Sequence, residues 1–152
     1  MLGGLARWLR MLGYDTEYDP RTDDNILLQN SMSGQAILLT RDQELHQRAL
    51  KKGVSTVFVV GDTDAERLAQ LARVFHLSLE IDMGSTKCPV CGTSLREIGL
   101  DEASRSVPPA SIKLYDRFWK CSNVACGKTY WVGGHWKKIR ETLEQARKLA
   151  VG

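Results

Sequence analysis

Apolar and polar positions in the first half of the chain alternate between helical and strand patterns. Helical spacing, capping residues and terminal glycines predict helices over residues 2–12, 23–31, 42–51 and about 62–75, with Thr22 as N-cap of the second. Apolar or β-branched runs predict strands over residues 36–40 and 54–60, with weaker strand patterns at 14–18 and 77–81. The alternation of strands and helices over residues 1–82 predicts an α/β domain with a parallel sheet and helices on its faces.

The second half, residues 83–152, has a different pattern. Residues 82–87 are typical of a linker, and residues 88–134 carry two cysteine pairs and two aromatic pairs, each aromatic pair beside a cysteine pair. This arrangement predicts a small ribbon whose hairpins carry the cysteines. Residues 135–150 have apolar positions on one helical face and basic residues elsewhere, which predicts an amphipathic C-terminal helix.

All four cysteines of the chain belong to these two pairs, Cys88-Pro-Val-Cys91 and Cys121-Ser-Asn-Val-Ala-Cys126. A C-x2-C pair followed by a C-x4-C pair is typical of a tetrahedral thiolate site, and Zn²⁺ is the ion that such sites usually hold. The glycine after each pair, Gly92 or Gly127, suits a tight turn that aims both sulfurs at one ion. Disulfide bonds or a redox C-x-x-C are the alternative interpretation.

Charge differs between the two halves. Residues 1–82 hold nine Lys and Arg against twelve Asp and Glu, a net −3, and residues 83–152 hold twelve against six, a net +6. The basic half could bind the phosphates of a polyanion, and the acidic half could bind cations. With no signal peptide and no apolar run near the ~20 residues of a membrane span, we expect a cytoplasmic protein outside the membrane.

Several carboxylates of the first half follow predicted strands. Asp42 follows the strand at 36–40, Asp62 and Asp64 follow the strand at 54–60, and Asp23 and Asp24 follow the weaker strand pattern. Ligands bind outside the carboxyl ends of parallel strands, so these side chains could converge there. Oxygen ligands without histidine suit Mg²⁺ or Mn²⁺, which can activate water for phosphoryl transfer. The alternative role of each aspartate is to cap the helix that it precedes.

Four segments together resemble the Mut-seven C-terminal ribonuclease family. They are residues 1–15 (MLGGLARWLRMLGYD), Thr22-Asp-Asp24, Leu38-Leu-Thr-Arg-Asp42, and the cysteine ribbon with Tyr130-Trp131 and His135-Trp136. The resemblance covers nearly the whole chain and implies a PIN-like nuclease fold followed by a zinc ribbon. It also implies a metal-dependent ribonuclease, with Asp42 and one or both of Asp23 and Asp24 in acidic active-site positions and Asp62 matched less securely.

The chain departs from the family pattern at its beginning. In the family, a short strand carrying an aspartate precedes the Met-Leu-Gly motif, and here Met1 is that methionine. Two explanations compete: a start codon placed too far downstream, and a genuine truncation that impairs catalysis. The intact motifs favour the first explanation. The codons upstream of Met1 distinguish the two.

Two functions therefore stay open at the level of sequence. The first is Mg²⁺- or Mn²⁺-dependent hydrolysis of RNA by the carboxylates, with structural Zn²⁺ in the ribbon. RNA would be contacted by five basic residues, Arg7, Arg10, Arg41, Lys137 and Lys138. The alternative is a non-catalytic zinc-ribbon module that binds RNA or protein, attached to a degenerate nuclease domain.

Overall fold

A computed structural model describes residues 2–152, so Met1 of the N-terminal motif lies outside the described residues. The helices are α1 (Gly3–Met11), α2 (Asp24–Ser31), α3 (Gln43–Lys51), α4 (Asp64–Phe75), α5 (Leu100–Ala103), α6 (Pro109–Leu114) and α7 (Trp136–Val151). The strands are β1 (Leu38–Thr40), β2 (Thr56–Phe58), β3 (Leu95–Ile98), β4 (Phe118–Cys121) and β5 (Thr129–Tyr130). The five longer predicted helices are confirmed.

Strands β1 and β2 form a parallel pair, which confirms a small parallel sheet. Leu38 pairs with Thr56 and Thr40 with Phe58, so both strands end at the same edge. The outer edge of β2 has no strand among the described residues. Gln70 of α4 covers it instead, because its amide donates to the Phe58 carbonyl (2.9 Å) and accepts from the Val60 amide (2.9 Å).

The strand predicted at residues 14–18 is wrong. This segment is irregular, and its polar groups bond to side chains instead of a neighbouring strand. The Thr16 hydroxyl donates to the Tyr14 carbonyl (3.0 Å), and the Thr16 carbonyl accepts from Arg10 (3.0 Å). A strand exists only where a second strand pairs with it, and none of the described residues does so here.

The strand predicted at residues 77–81 is also wrong, although its apolar residues are buried as expected. Leu79 lies in the main core. Its carbonyl accepts a 2.6 Å hydrogen bond from the guanidinium of Arg147 on α7, so a side chain takes the place of a strand.

The core of the first half is completed by the C-terminal helix. Leu5 of α1, Leu68 of α4 and Val59 after β2 form one buried cluster with Leu143 and Ala146 of α7. The amphipathic helix therefore packs its apolar face on the α/β part of the chain and not on the ribbon. No helix in residues 2–152 is long and apolar enough to cross a membrane.

The ribbon is a three-stranded antiparallel sheet in the order β3-β4-β5. Ile98 of β3 pairs with Phe118 of β4, and both side chains pack in a small core around the fully buried Phe118 ring. The sequence predicts hairpins between the cysteine pairs, whereas the structure adds the short helices α5 and α6 there. Val107, between these helices, fills the same small core.

Candidate metal centre and acidic sheet edge

The four cysteines converge on one point of the ribbon, as the spacing predicts. Their sulfur atoms all lie within 4.8 Å of one another. Cys91 and Cys121 have sulfurs 3.4 Å apart, and those of Cys88 and Cys126 are 3.9 Å apart. All four are free thiols, so the disulfide alternative is not what the structure contains.

Each cysteine pair sits in a tight turn that the local sequence permits. In the first turn, the Gly92 amide donates to the Cys88 carbonyl (2.8 Å). In the second, the Gly127 amide donates to the Asn123 carbonyl (2.9 Å). Both glycines have positive φ angles, 80° and 61°, which other residues rarely adopt. The turns bring each pair of sulfurs onto the same side of the chain.

Two hydroxyl groups lie beside the sulfurs of the cluster. The Tyr130 hydroxyl lies 3.0 Å from the Cys88 sulfur, and the Thr93 hydroxyl lies 3.4 Å from the Cys91 sulfur. The hydrogen bond with Thr93 lowers the pKa of Cys91 to about 6. Burial acts in the opposite direction on Cys121, whose pKa it raises to about 12. The site therefore favours the thiolate at Cys91, the form in which cysteine binds metal.

The arrangement fits a zinc ion. In a tetrahedral site with Zn–S bonds of about 2.3 Å, neighbouring sulfurs are about 3.8 Å apart. The observed sulfur separations lie around this value. Four sulfur ligands fill the tetrahedron and leave no open position for a substrate or a reactive water, which is typical of a structural site. The ion would hold together β4 and the two cysteine turns.

We predict that Tyr130→Phe weakens zinc binding about tenfold, because outer hydrogen bonds to metal ligands typically contribute this much. The hydroxyl that faces Cys88 is lost, while the ring stays. Competition with a chromophoric chelator measures the affinity. Tyr115→Phe, a change in the ribbon core without a cysteine contact, is the control. Equal affinities in the two variants would contradict the prediction.

Two of the predicted catalytic aspartates cap helices. Asp23 is the N-cap of α2 and accepts from the Asn25 amide (3.0 Å), so the predicted cap at Thr22 is wrong by one residue. Asp42 is the N-cap of α3 and accepts from the Leu45 amide (3.1 Å). Capping uses one carboxylate oxygen of each, and both side chains remain exposed.

The other acidic residues have different surroundings. Asp24 lies 4.0 Å from Arg48 of α3, and Asp62 is exposed at the start of the turn into α4. Asp64, which lies two residues further on, is half-buried and accepts a 3.1 Å hydrogen bond from the indole nitrogen of Trp8. This contact links α4 to α1 and was not predicted, since the two residues are far apart in sequence.

A hydrogen bond from a side chain to a backbone carbonyl joins two carboxylate-bearing loops at the same edge of the sheet. The guanidinium of Arg41 donates to the Gly61 carbonyl (2.7 Å), and these residues directly precede Asp42 and Asp62. Within residues 2–152, however, no three carboxylates place their oxygens close enough to share one ion. Among the described residues, the four cysteines therefore form one group of possible ligands, whereas the aspartates do not.

The five predicted RNA-binding residues fall into two groups. Arg7, Lys137 and Lys138 are exposed on helices. Arg10 is buried, and its guanidinium donates to backbone carbonyls, while Arg41 is occupied by the Gly61 carbonyl. The guanidinium of Arg10 is therefore held within the protein by backbone carbonyls.

Comparison with known proteins identifies the family. No curated protein matches the chain, and no solved structure matches it. The family model described as the Mut7-C RNAse domain matches residues 1–143, which include the N-terminal helices, both parallel strands, the complete cysteine cluster and the first half of α7. The resemblance carried by the sequence motifs is confirmed, and the chain belongs to the Mut7-C RNAse domain family.

Proposed function

We propose that the protein is a metal-dependent ribonuclease that hydrolyses RNA phosphodiester bonds with Mg²⁺ or Mn²⁺. The observation that carries this proposal is the match of a ribonuclease domain family over residues 1–143. The family suggests a ribonuclease-type function with RNA as substrate. The metal dependence, the site residues and a PIN-like fold for the first half belong to the proposal.

The proposed catalytic edge is the end of the β1–β2 pair. Thr40 and Phe58 are the last residues of paired parallel strands, and Asp42 and Asp62 follow them within a few residues. The contact between Arg41 and Gly61 supports a common location for the two loops. In open α/β sheets this edge is the usual ligand site, and two exposed carboxylates there suit a hard divalent cation.

The chemistry at this edge would be supplied by the divalent ion when bound. Such an ion lowers the pKa of a bound water and stabilises the charge of a phosphoryl transition state. In this proposal Asp42 and Asp62 hold the ion, and Asp23 and Asp24 at the start of α2 are the further candidates. The free carboxylate oxygens of the two capping residues, Asp23 and Asp42, remain available for a metal because capping uses only one oxygen of each.

The ribbon and the basic half are proposed to position the RNA. The net charge of +6 over residues 83–152 favours contacts with phosphate. Arg7 on α1 and the pair Lys137 and Lys138 on α7 are exposed and have no acidic partner within residues 2–152. Zinc in the cysteine cluster would have a structural role separate from the catalytic ion.

The test is cleavage of an end-labelled single-stranded RNA of mixed sequence by the full chain. We expect cleavage when Mg²⁺ or Mn²⁺ is added and none when divalent ions are omitted. Omission is preferable to chelation, since a chelator would also remove zinc from the cysteine cluster. DNA of the same sequence is the control for substrate class. Cleavage that is independent of divalent ions would overturn the metal-dependent mechanism.

The second candidate is a non-catalytic module that binds RNA or protein through the ribbon. One observation favours it: the cysteine cluster has its ligands in place, whereas no three carboxylates of the described residues form such a group. The same experiment separates the two candidates. Retention of the RNA on a native gel without cleavage at any divalent-ion concentration would favour the binding module.

A further inference from the structure

Arg10 is the one charged side chain among the buried residues of the range 2–152, with 7% of its surface exposed. It lies on α1, in the first half of the chain. Its guanidinium donates to three backbone carbonyls, those of Thr16 (3.0 Å), Pro89 (3.1 Å) and Val90 (3.2 Å). Two of these acceptors belong to the ribbon, so the charge lies at the contact between the two parts of the chain.

No carboxylate balances this charge. Arg10 has no ion pair with any acidic side chain in the part of the chain that the structure describes. A buried charge is costly unless an opposite charge or a set of hydrogen bonds compensates for it. The carbonyls satisfy the N–H groups of the guanidinium but provide no net negative charge. A compensating anion is therefore expected close by.

The cysteine cluster can provide this anion once it binds zinc. Pro89 and Val90 are the two residues between the ligands Cys88 and Cys91. A Cβ atom added to Gly92 would lie 3.1 Å from the Nε atom of Arg10, which places the guanidinium directly against this turn. The four thiolates of a zinc–cysteine site outweigh the charge of the ion, so the loaded site is an anion.

We propose that Arg10 is the charge partner of the zinc–thiolate centre and holds its first cysteine turn in the ligating conformation. The cation attracts the anionic centre through the Cys88–Cys91 turn, and its hydrogen bonds fix the Pro89 and Val90 carbonyls. Backbone contacts reinforce the junction, because the Lys87 amide donates to the Arg10 carbonyl (2.8 Å). Zinc binding in the ribbon is thereby coupled to α1 and the adjoining segment. This coupling does not depend on the proposed RNA cleavage.

The first test compares zinc affinities of the full chain by competition with a chromophoric chelator. Arg10→Met removes the charge and keeps the length, whereas Arg10→Lys keeps the charge and loses most hydrogen bonds. We expect about 10- to 100-fold weaker binding for Arg10→Met, the usual effect of outer-shell changes, and a smaller loss for Arg10→Lys. Arg147→Met is the matched control, since Arg147 also donates to a carbonyl but in the α/β core.

The order of the zinc affinities of the three variants decides between the possible outcomes. Equal losses for Arg10→Met and Arg10→Lys would overturn the charge partnership and leave a packing role. An Arg10→Met chain that binds zinc as tightly as Arg147→Met would overturn the proposal entirely. A wild-type chain that holds no zinc would overturn it together with the zinc assignment. The Co²⁺-loaded spectrum of each variant, through its thiolate charge-transfer bands, reports whether all four ligands remain in place.

A second test needs no variant and so does not depend on the folding of one. Hydrogen exchange of the wild-type chain is measured with zinc bound and after zinc removal. We expect residues 10–16, at the end of α1 and the Thr16 segment, to lose protection at least tenfold when zinc leaves. Helix α3, which packs against β1 and β2, is the internal control. Unchanged protection of residues 10–16 would overturn the coupling.

Discussion

Replacement of Cys88 with serine should remove zinc from the protein and unfold the ribbon. Cys88 is fully buried, and its sulfur lies 3.9 Å from that of Cys126. A serine hydroxyl is a poor zinc ligand at neutral pH, and a structural zinc site can contribute about 10–16 kcal/mol to a small domain. We expect the bound zinc, measured by elemental analysis, to fall from about one ion per chain to almost none.

Circular dichroism and limited proteolysis would locate the damage. The ribbon has only a small core around Phe118, so residues 88–131 should become sensitive to protease without the metal. The larger cluster that joins α1, α4 and α7 should keep most of the helical signal. Ser122→Ala, an exposed change beside Cys121, is the control. A Cys88→Ser chain with a full complement of zinc would contradict the tetrathiolate site.

The cysteine site could be predicted because its information is local. Each turn is encoded within seven residues or fewer by two cysteines and a glycine with positive φ. Only one long-range step is needed, the pairing of β3 with β4 that brings the second pair to the first. Amphipathic helices are equally local, and for this reason the boundaries of α1, α3 and α7 were predicted to within about two residues.

Sheet membership could not be predicted in the same way. The segments 14–18 and 77–81 have apolar patterns like those of strands, but a strand requires a partner whose position the local sequence does not encode. In the structure, Arg10 and Arg147 satisfy carbonyls of these segments instead. The acceptor of Arg147 is 68 positions away, and Arg10 also donates to the carbonyl of Pro89, which is 79 positions away. A helical pattern identifies such a residue only as polar.

The acidic edge of the sheet could be predicted only in part, unlike the cysteine site. The sequence places Asp42 and Asp62 after strands, and the parallel pairing of β1 with β2 puts the ends of both strands at one edge. The same positions precede helices, so a carboxylate there is equally suited to capping, and Asp42 does cap α3. Both roles therefore favour an aspartate at position 42, and a substitution that keeps the cap but removes the charge separates them.

Asp42→Asn is that substitution, and we expect it to reduce Mn²⁺-dependent RNA cleavage at least about 100-fold. Asparagine caps a helix as well as aspartate does, so α3 should keep its N-terminal hydrogen bond to Leu45. The negative charge that would hold the divalent ion is lost. A 100-fold loss corresponds to about 2.7 kcal/mol of transition-state stabilisation. Cleavage rates at saturating RNA, measured over a range of Mn²⁺ concentrations, test the expectation.

The matched control is Asp19→Asn, which makes the same change of charge at an exposed turn. Asp19 accepts from the Arg21 amide (2.9 Å), and asparagine can accept the same hydrogen bond. Its cleavage rate should stay within about twofold of wild type, because Asp19 is exposed and is not one of the proposed metal ligands. Asp42→Ala adds the complementary comparison, since it removes the cap as well and should lower the free energy of unfolding by about 1 kcal/mol. If Asp42→Asn cleaves RNA as fast as Asp19→Asn, Asp42 is only a helix cap and the catalytic ion lies elsewhere.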